Sequence, residues 1–116
     1  MSSIERHESN SRLSRAVVHN GVAYLAGITA DNRGASMKGQ TEEVLKKIDA
    51  VLKQAGTDKS RLLSTVVYVS DMRLKSQMDE AWLAWVDPKN PPARATVETR
   101  LGTADTLVEI MCIAAQ

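Results

Sequence analysis

Two charged residues interrupt stretches that otherwise read as strands: Arg94, following the stiff Pro91-Pro92-Ala93, and Glu109, the single charge between Thr106 and the C-terminus. A guanidinium presents a planar fork that grips a carboxylate through two parallel N–H···O bonds, and a carboxylate beside it can take up and return a proton. If the last two strands form a hairpin centred on Leu101-Gly102, Arg94 faces Glu109 with their Cβ atoms roughly 5 Å apart. The same placement equally makes a weak structural salt bridge on a sheet face. Spacing alone leaves both readings open.

Other chemistries find less material. Cys112 is the one cysteine, and with His7 and His19 remote from it the residues offer no metal-ligand pattern; it reads as a small core hydrophobe rather than a thiol nucleophile. Trp82 and Trp85 lie in an apolar helical stripe and read as packing residues. Lys46, Lys47, Lys53, Lys59 and Arg61 interleave with Glu42, Glu43, Asp49 and Asp58, as on a solvated helix face. Fifteen basic and fourteen acidic residues leave a net charge of +1, and two Trp, two Tyr and no Phe give few stacking platforms. Nucleic acid is therefore disfavoured as a partner. Neither a metal nor an organic cofactor is expected.

The elements that must position Arg94 and Glu109 follow from the apolar pattern. A chain of 116 residues is the size of one domain, read here as residues 1–116 with a loosely ordered N-terminal segment over 1–11. No secretory signal or apolar run of membrane-spanning length is apparent, so a cytoplasmic protein without membrane association is expected. Leu13 to Val18 and Val22 to Ile28 form a hairpin about His19-Asn20-Gly21. Val44, Leu45, Ile48, Val51 and Leu52 mark a first helix over Gln40 to Gln54, closed by Gly56. Leu62 to Ser70 is a strand, a second helix runs from Leu74 to Trp85, and Ala93–Leu101 and Leu107–Ala114 are the last strands. In the Ala93–Leu101 strand, Arg94, Thr96, Glu98 and Arg100 share the polar side. The order β-β-α-β-α-β-β predicts an α+β two-layer sandwich with both helices on one face of the sheet. Its second face then needs cover, which a small protein often finds in further copies of itself.

The string Pro92-Ala93-Arg94-Ala95-Thr96-Val97-Glu98, with Val108-Glu109-Ile110 beyond it, resembles the signature of the Rid (reactive intermediate deaminase, YjgF-type) family. Ala26-Gly27, Gln40-Thr41, Ile48 to Leu52 with Ala55-Gly56, and Val67 to Asp71 extend the likeness over essentially residues 12 to 114. The resemblance implies a chorismate-mutase-like α+β fold, a homotrimer with ligand clefts between subunits, and metal-free hydrolysis of reactive 2-imino acids and enamines to 2-keto acids and ammonia. It assigns Arg94 to the substrate carboxylate and Glu109 to the attacking water. A small carboxylate-bearing molecule is thus the expected partner.

The chain also departs from the better-studied deaminases in that family. Leu13 stands where they carry a Tyr, Ala26 replaces a Ser, Asp79 an Asn and Thr96 a Cys. These changes alter the substrate-binding wall while Arg94 and Glu109 stay. Thr96, two residues from Arg94 and on the same strand face, either bonds the substrate or serves a plain cross-strand role. The alternative functions are a non-catalytic binder or regulator of small 2-keto acids, and a deaminase dedicated to one pathway.

Overall fold

The computed structural model describes residues 3–116. One sheet takes in every strand: β1 (Glu5–His7), β2 (Ala16–His19), β3 (Val22–Leu25), β4 (Ile28–Thr29), β5 (Leu62–Val69), β6 (Ala93–Glu98) and β7 (Val108–Ala115). Helices α1 (Met37–Gln54) and α2 (Lys75–Trp85) supply the second layer. Among the described residues no helix is long and apolar enough to cross a membrane.

Local signals act where the sequence puts them. Asn20 and Gly21 adopt φ angles of 51° and 77°, the left-handed pair that a two-residue turn requires, and they join β2 to β3 in the expected hairpin. Helix α1 begins earlier than its apolar stripe suggests, because Ser36 accepts a hydrogen bond from the Gly39 amide at 3.1 Å and caps it. Gly56, at φ 79°, closes it, with the Thr57 amide bonded to the Leu52 carbonyl and the Gly56 amide to that of Lys53.

Residues 1 and 2 of the N-terminal segment lie outside the described residues, and the rest of it departs from the expectation of loose order. Glu5–His7 pairs antiparallel with Ala16–Val18 as an edge strand, and the Arg15 amide donates to the His7 carbonyl at 2.9 Å. A polar strand held by backbone bonds at a sheet edge carries no apolar alternation to reveal it.

The larger correction concerns the last two strands. They are not a hairpin: β5 lies between them, antiparallel to β7 and parallel to β6, in the order β1-β2-β3-β7-β5-β6, while β4 also pairs with β7. Parallel strands need a crossover, and α2 between β5 and β6 supplies it. Residues 99–107 then carry the chain past β5.

Burial along β7 alternates strictly, with Val108, Ile110, Cys112 and Ala114 buried and Glu109, Met111 and Ile113 only partly so. The buried set packs with Val44, Leu45, Ile48 and Leu52 of α1 and with Met78 and Trp82 of α2 in one core. Both helices therefore cover one face, as a two-layer α+β sandwich requires. On the other face Tyr24, Leu63 and Val97 are 46%, 50% and 41% exposed, an apolar surface that the chain itself does not cover.

Candidate functional site

Register decides where Arg94 and Glu109 stand. Arg94 lies beside Thr65 of β5, and Thr65 beside Cys112 of β7; Thr65 and Cys112 are 1% and 0% exposed beneath the helices. Glu109 lies beside Tyr68, an odd number of residues along β5 from Thr65. Since side chains alternate between faces, Arg94 points to the helical layer and Glu109 to the open face. The cross-strand pair that the hairpin register predicted does not exist, because β5 intervenes and parity reverses. Cys112, three residues beyond Glu109, is on the helical side as well.

The Arg94 corner is built by α2. Arg94 Nη1 meets Asp79 Oδ1 at 2.8 Å, and Lys75 Nζ meets Asp79 Oδ2 at 2.5 Å from one helical turn away. The guanidinium carbon stands 5.4 Å from the Trp82 ring centroid, and Nη1 also approaches Met78 Sδ at 3.9 Å. Cation and ring attract, and the flat guanidinium is held in one pose. Burial pushes the Asp79 carboxyl upward, but hydrogen bonds from Lys75 and Arg94 together with their charges outweigh it, so the net shift is below the ordinary value. Nε and Nη2 of Arg94 bond to none of the described residues. Thr96, two residues along β6, is on the same face of the sheet as Arg94.

The Glu109 cleft is built differently. Chain β3 passes through Ala26-Gly27 into β4, where Thr29 pairs with Glu109. The Glu109 carboxyl lies directly over Gly27, where a Cβ would collide with it. With any larger residue at position 27 the carboxyl would have to swing aside from this pose. Above it opens a cleft of about 300 Å³ bounded by Gly27, Tyr68, Arg100 and Met111. An adjoining cleft of about 370 Å³ shares Arg100 and Leu101 and runs on to Ser70 and Thr103. The Glu109 carboxylate bonds to none of the described residues, so its oxygens are available to a molecule in the cleft.

The anticipated residues thus fall into two sets on two faces. Arg94, Thr96 and Asp79 share one. Ala26, whose amide donates to the Arg15 carbonyl at 2.9 Å, adjoins Gly27 beneath Glu109. Leu13 is 45% exposed in the loop before β2, its amide bonded to Asn10 Oδ1 at 3.0 Å.

Two contributors escaped the sequence reading. The charge alternation places Arg100 on the polar side of a strand with Arg94, but β6 ends at Glu98 and Arg100 lines the cleft of Glu109 instead. The turn formers of Gly102-Thr103-Ala104-Asp105 are the local sign that the strand ends early. Gln40 is fully buried; its Nε2 donates to the carbonyls of Arg33, Ala35 and Asp105, and its Oε1 accepts from the Leu107 amide at 3.0 Å. It fastens the loop leading into Glu109. A Gln one turn ahead of the first residue of an apolar helix stripe, in line with it, is the signal that marks such a clamp.

The Cys112 thiol, bonded by Thr65 Oγ1 at 3.5 Å, is pushed up to about 11 by burial, which that hydrogen bond only partly opposes. It is not a thiolate near neutral pH.

Comparison with known proteins gives a consistent lineage. The family described as Endoribonuclease L-PSP matches residues 3–116. A RutC family protein of Haemophilus ducreyi is 39% identical over 112 residues, covering 97% of this chain and 96% of its own. The Reactive Intermediate Deaminase A of Arabidopsis chloroplasts is 29% identical over 107 residues, 87% of this chain and 57% of the plant protein. Among solved structures, a member of the YjgF protein family from Neisseria meningitidis superposes with a TM-score of 0.96 at 38% identity, covering 98% of this chain and 95% of the other. With its sheet order, its helical layer and its Arg94 and Glu109 strands in place, the chain belongs to the YjgF/RutC (Rid) family.

Proposed function

We propose that this protein is a homotrimeric deaminase that hydrolyses small 2-imino acids to 2-keto acids and ammonia at clefts between subunits. The observation that carries this reading is the division of labour across the sheet: a preset guanidinium with two unbonded donor nitrogens on one face, an unbonded carboxylate in a cleft on the other. A site that uses both needs two copies of the chain. The uncovered apolar face with Tyr24, Leu63 and Val97 is the surface on which copies would meet. The name of the plant relative, a reactive intermediate deaminase, supports the same chemistry.

In this reading Arg94 clamps the substrate carboxylate through its free donors, which fixes the neighbouring C=N bond. Glu109 of another copy accepts a proton from a water whose oxygen bonds to the carbon of the protonated imine (C=NH2+). The C=N π pair moves to nitrogen, giving a tetrahedral amino alcohol. Glu109 returns the proton to nitrogen, the C–N bond breaks with its pair leaving on ammonia, and the hydroxyl proton passes back to Glu109 and on to water as the oxygen pair closes the keto group.

The test generates 2-imino acids with an amino-acid oxidase and follows their trapping by semicarbazide with and without the protein. Wild type should speed imine loss, and Arg94→Ala and Glu109→Gln should each abolish the effect. Mixing the two inactive variants under subunit exchange should then restore about a quarter of the sites, those that combine an intact Arg94 with an intact Glu109. No restoration with confirmed exchange would rule out the shared site, and no activity in wild type would rule out the deaminase.

A further inference from the structure

Arg100 is a cation that the folded chain does not use. It is exposed beyond the end of β6 and enters no salt bridge among the described residues. It nevertheless stands where two clefts meet. In the cleft of about 300 Å³ its charged neighbour is the Glu109 carboxylate, and in the adjoining cleft of about 370 Å³ it is the one charged residue among those described. No carboxylate lines that second cleft. Donors do: Ser70 supplies a hydroxyl, and the backbone amides of Leu101, Gly102 and Ala104 donate to none of the described residues.

In the proposed reaction the substrate carboxylate occupies Arg94 of one copy and the attacking water lies on Glu109 of another. Lys75, Arg94 and Arg100 then stand with Asp79 and Glu109, three cations against two anions, so the assembled site carries one positive charge. A protonated imine with a single carboxylate is neutral as a whole and leaves that charge in place, at Arg100, since Arg94 is engaged. A second carboxylate on the substrate side chain gives the substrate one net negative charge and balances the site. Because Arg100 shares the compact cleft of Glu109, a carboxylate one or two methylenes beyond the imine carbon is within its reach.

We infer that Arg100, with the donor-lined cleft beside it, selects 2-imino acids that carry a second, side-chain carboxylate over uncharged ones of the same carbon skeleton. This rests on the deaminase reading of Arg94 and Glu109. Arg94 then holds the carboxylate common to every substrate, and Arg100 reads the group that distinguishes one substrate from another.

The test compares 2-iminosuccinate, made in situ by enzymatic oxidation of aspartate, with 2-iminobutanoate, made in the same way from 2-aminobutanoate; both have four carbons, and each rate is corrected for uncatalysed hydrolysis. Wild type should favour the dicarboxylate about tenfold in kcat/KM. Arg100→Gln should bring the two within about twofold, and Arg100→Lys should keep most of the preference, because an exposed cation acts here chiefly as a point charge. A second measurement needs no variant: 2-oxoglutarate should inhibit wild type about tenfold more strongly than 2-oxopentanoate, its five-carbon counterpart without the second carboxylate. Equal kcat/KM for the two imines, equal inhibition by the two keto acids, or a preference that survives Arg100→Gln overturns the role of Arg100 and leaves the deaminase standing. Absence of activity on either imine overturns both.

Discussion

The Arg94 corner and the Glu109 cleft differ in how much of their geometry the chain itself supplies. Arg94 is clamped on three sides, by the Asp79 carboxylate, the Trp82 ring and the Met78 sulfur, all from α2. Glu109 has only a floor, the bare backbone of Gly27, and a cleft above it with Arg100 on its rim. In the proposed reaction the first arrangement serves as a preorganised binding group whose side-chain entropy is already spent in the folded chain. The second is a carboxylate without partners among the described residues, which the proposed reaction uses to accept a proton from a bound molecule. An anchor gains from being fixed and a proton carrier from being unsatisfied. Placing them on opposite faces lets one strand network hold both without letting them neutralise each other.

The sharpest way to break this comparison is at the anchor. Arg94→Lys keeps the charge but loses the planar fork and the stacking on Trp82, and deaminase activity should fall by about 10²-fold or more, read as kcat/KM on short 2-imino acids. Activity near wild type would mean that Arg94 is not the carboxylate contact. At the cleft, Gly27→Ala introduces a Cβ into the space of the Glu109 carboxyl, and should cut kcat by roughly tenfold while KM changes little, since the anchor lies on the other face. A loss confined to KM would contradict the separation of roles.

Stability measurements sharpen it further. Gln40→Leu strands the Leu107 amide and three loop carbonyls, and should cost about 3 kcal/mol in denaturant unfolding. At the anchor, the depressed Asp79 carboxyl contributes stability that is fully present above its ordinary value of 3.8 and is lost as pH falls through its lower folded value. The melting temperatures of wild type and Asp79→Asn should therefore differ at pH 7 and converge in acid. The smallest effect is expected at Cys112, whose thiol, raised to about 11, should stay unmodified by iodoacetamide at pH 7.5 until the protein is unfolded.

Much of the fold was legible along the chain. Asn20-Gly21, the stripe from Val44 to Leu52, the β-branched run of β5 and the stop at Gly56 each depend on residues close in sequence, and each formed as read. The residue types at the site were legible too, since a guanidinium and a carboxylate inside strands stand out against apolar neighbours. Their relation was not. The assumption that adjacent strands pair placed Arg94 against Glu109, although a helix between β5 and β6 already argued for a parallel crossover that would bring those two together. Arg100 was misplaced for a related reason, because the alternation of charges beyond Glu98 continues a strand pattern after its pairing has ended.

The sequence by itself determined which residues alternate within each strand, where the helices begin their apolar stripes, and which two charges must be explained. Only the tertiary structure decided that β5 enters between β6 and β7, and with it the face each charge occupies. The reason is physical: alternation within a strand is fixed by the local backbone, whereas the parity between strands is set by hydrogen bonds between residues far apart in the chain, and a change of partner carries a side chain from the helical layer to the open face.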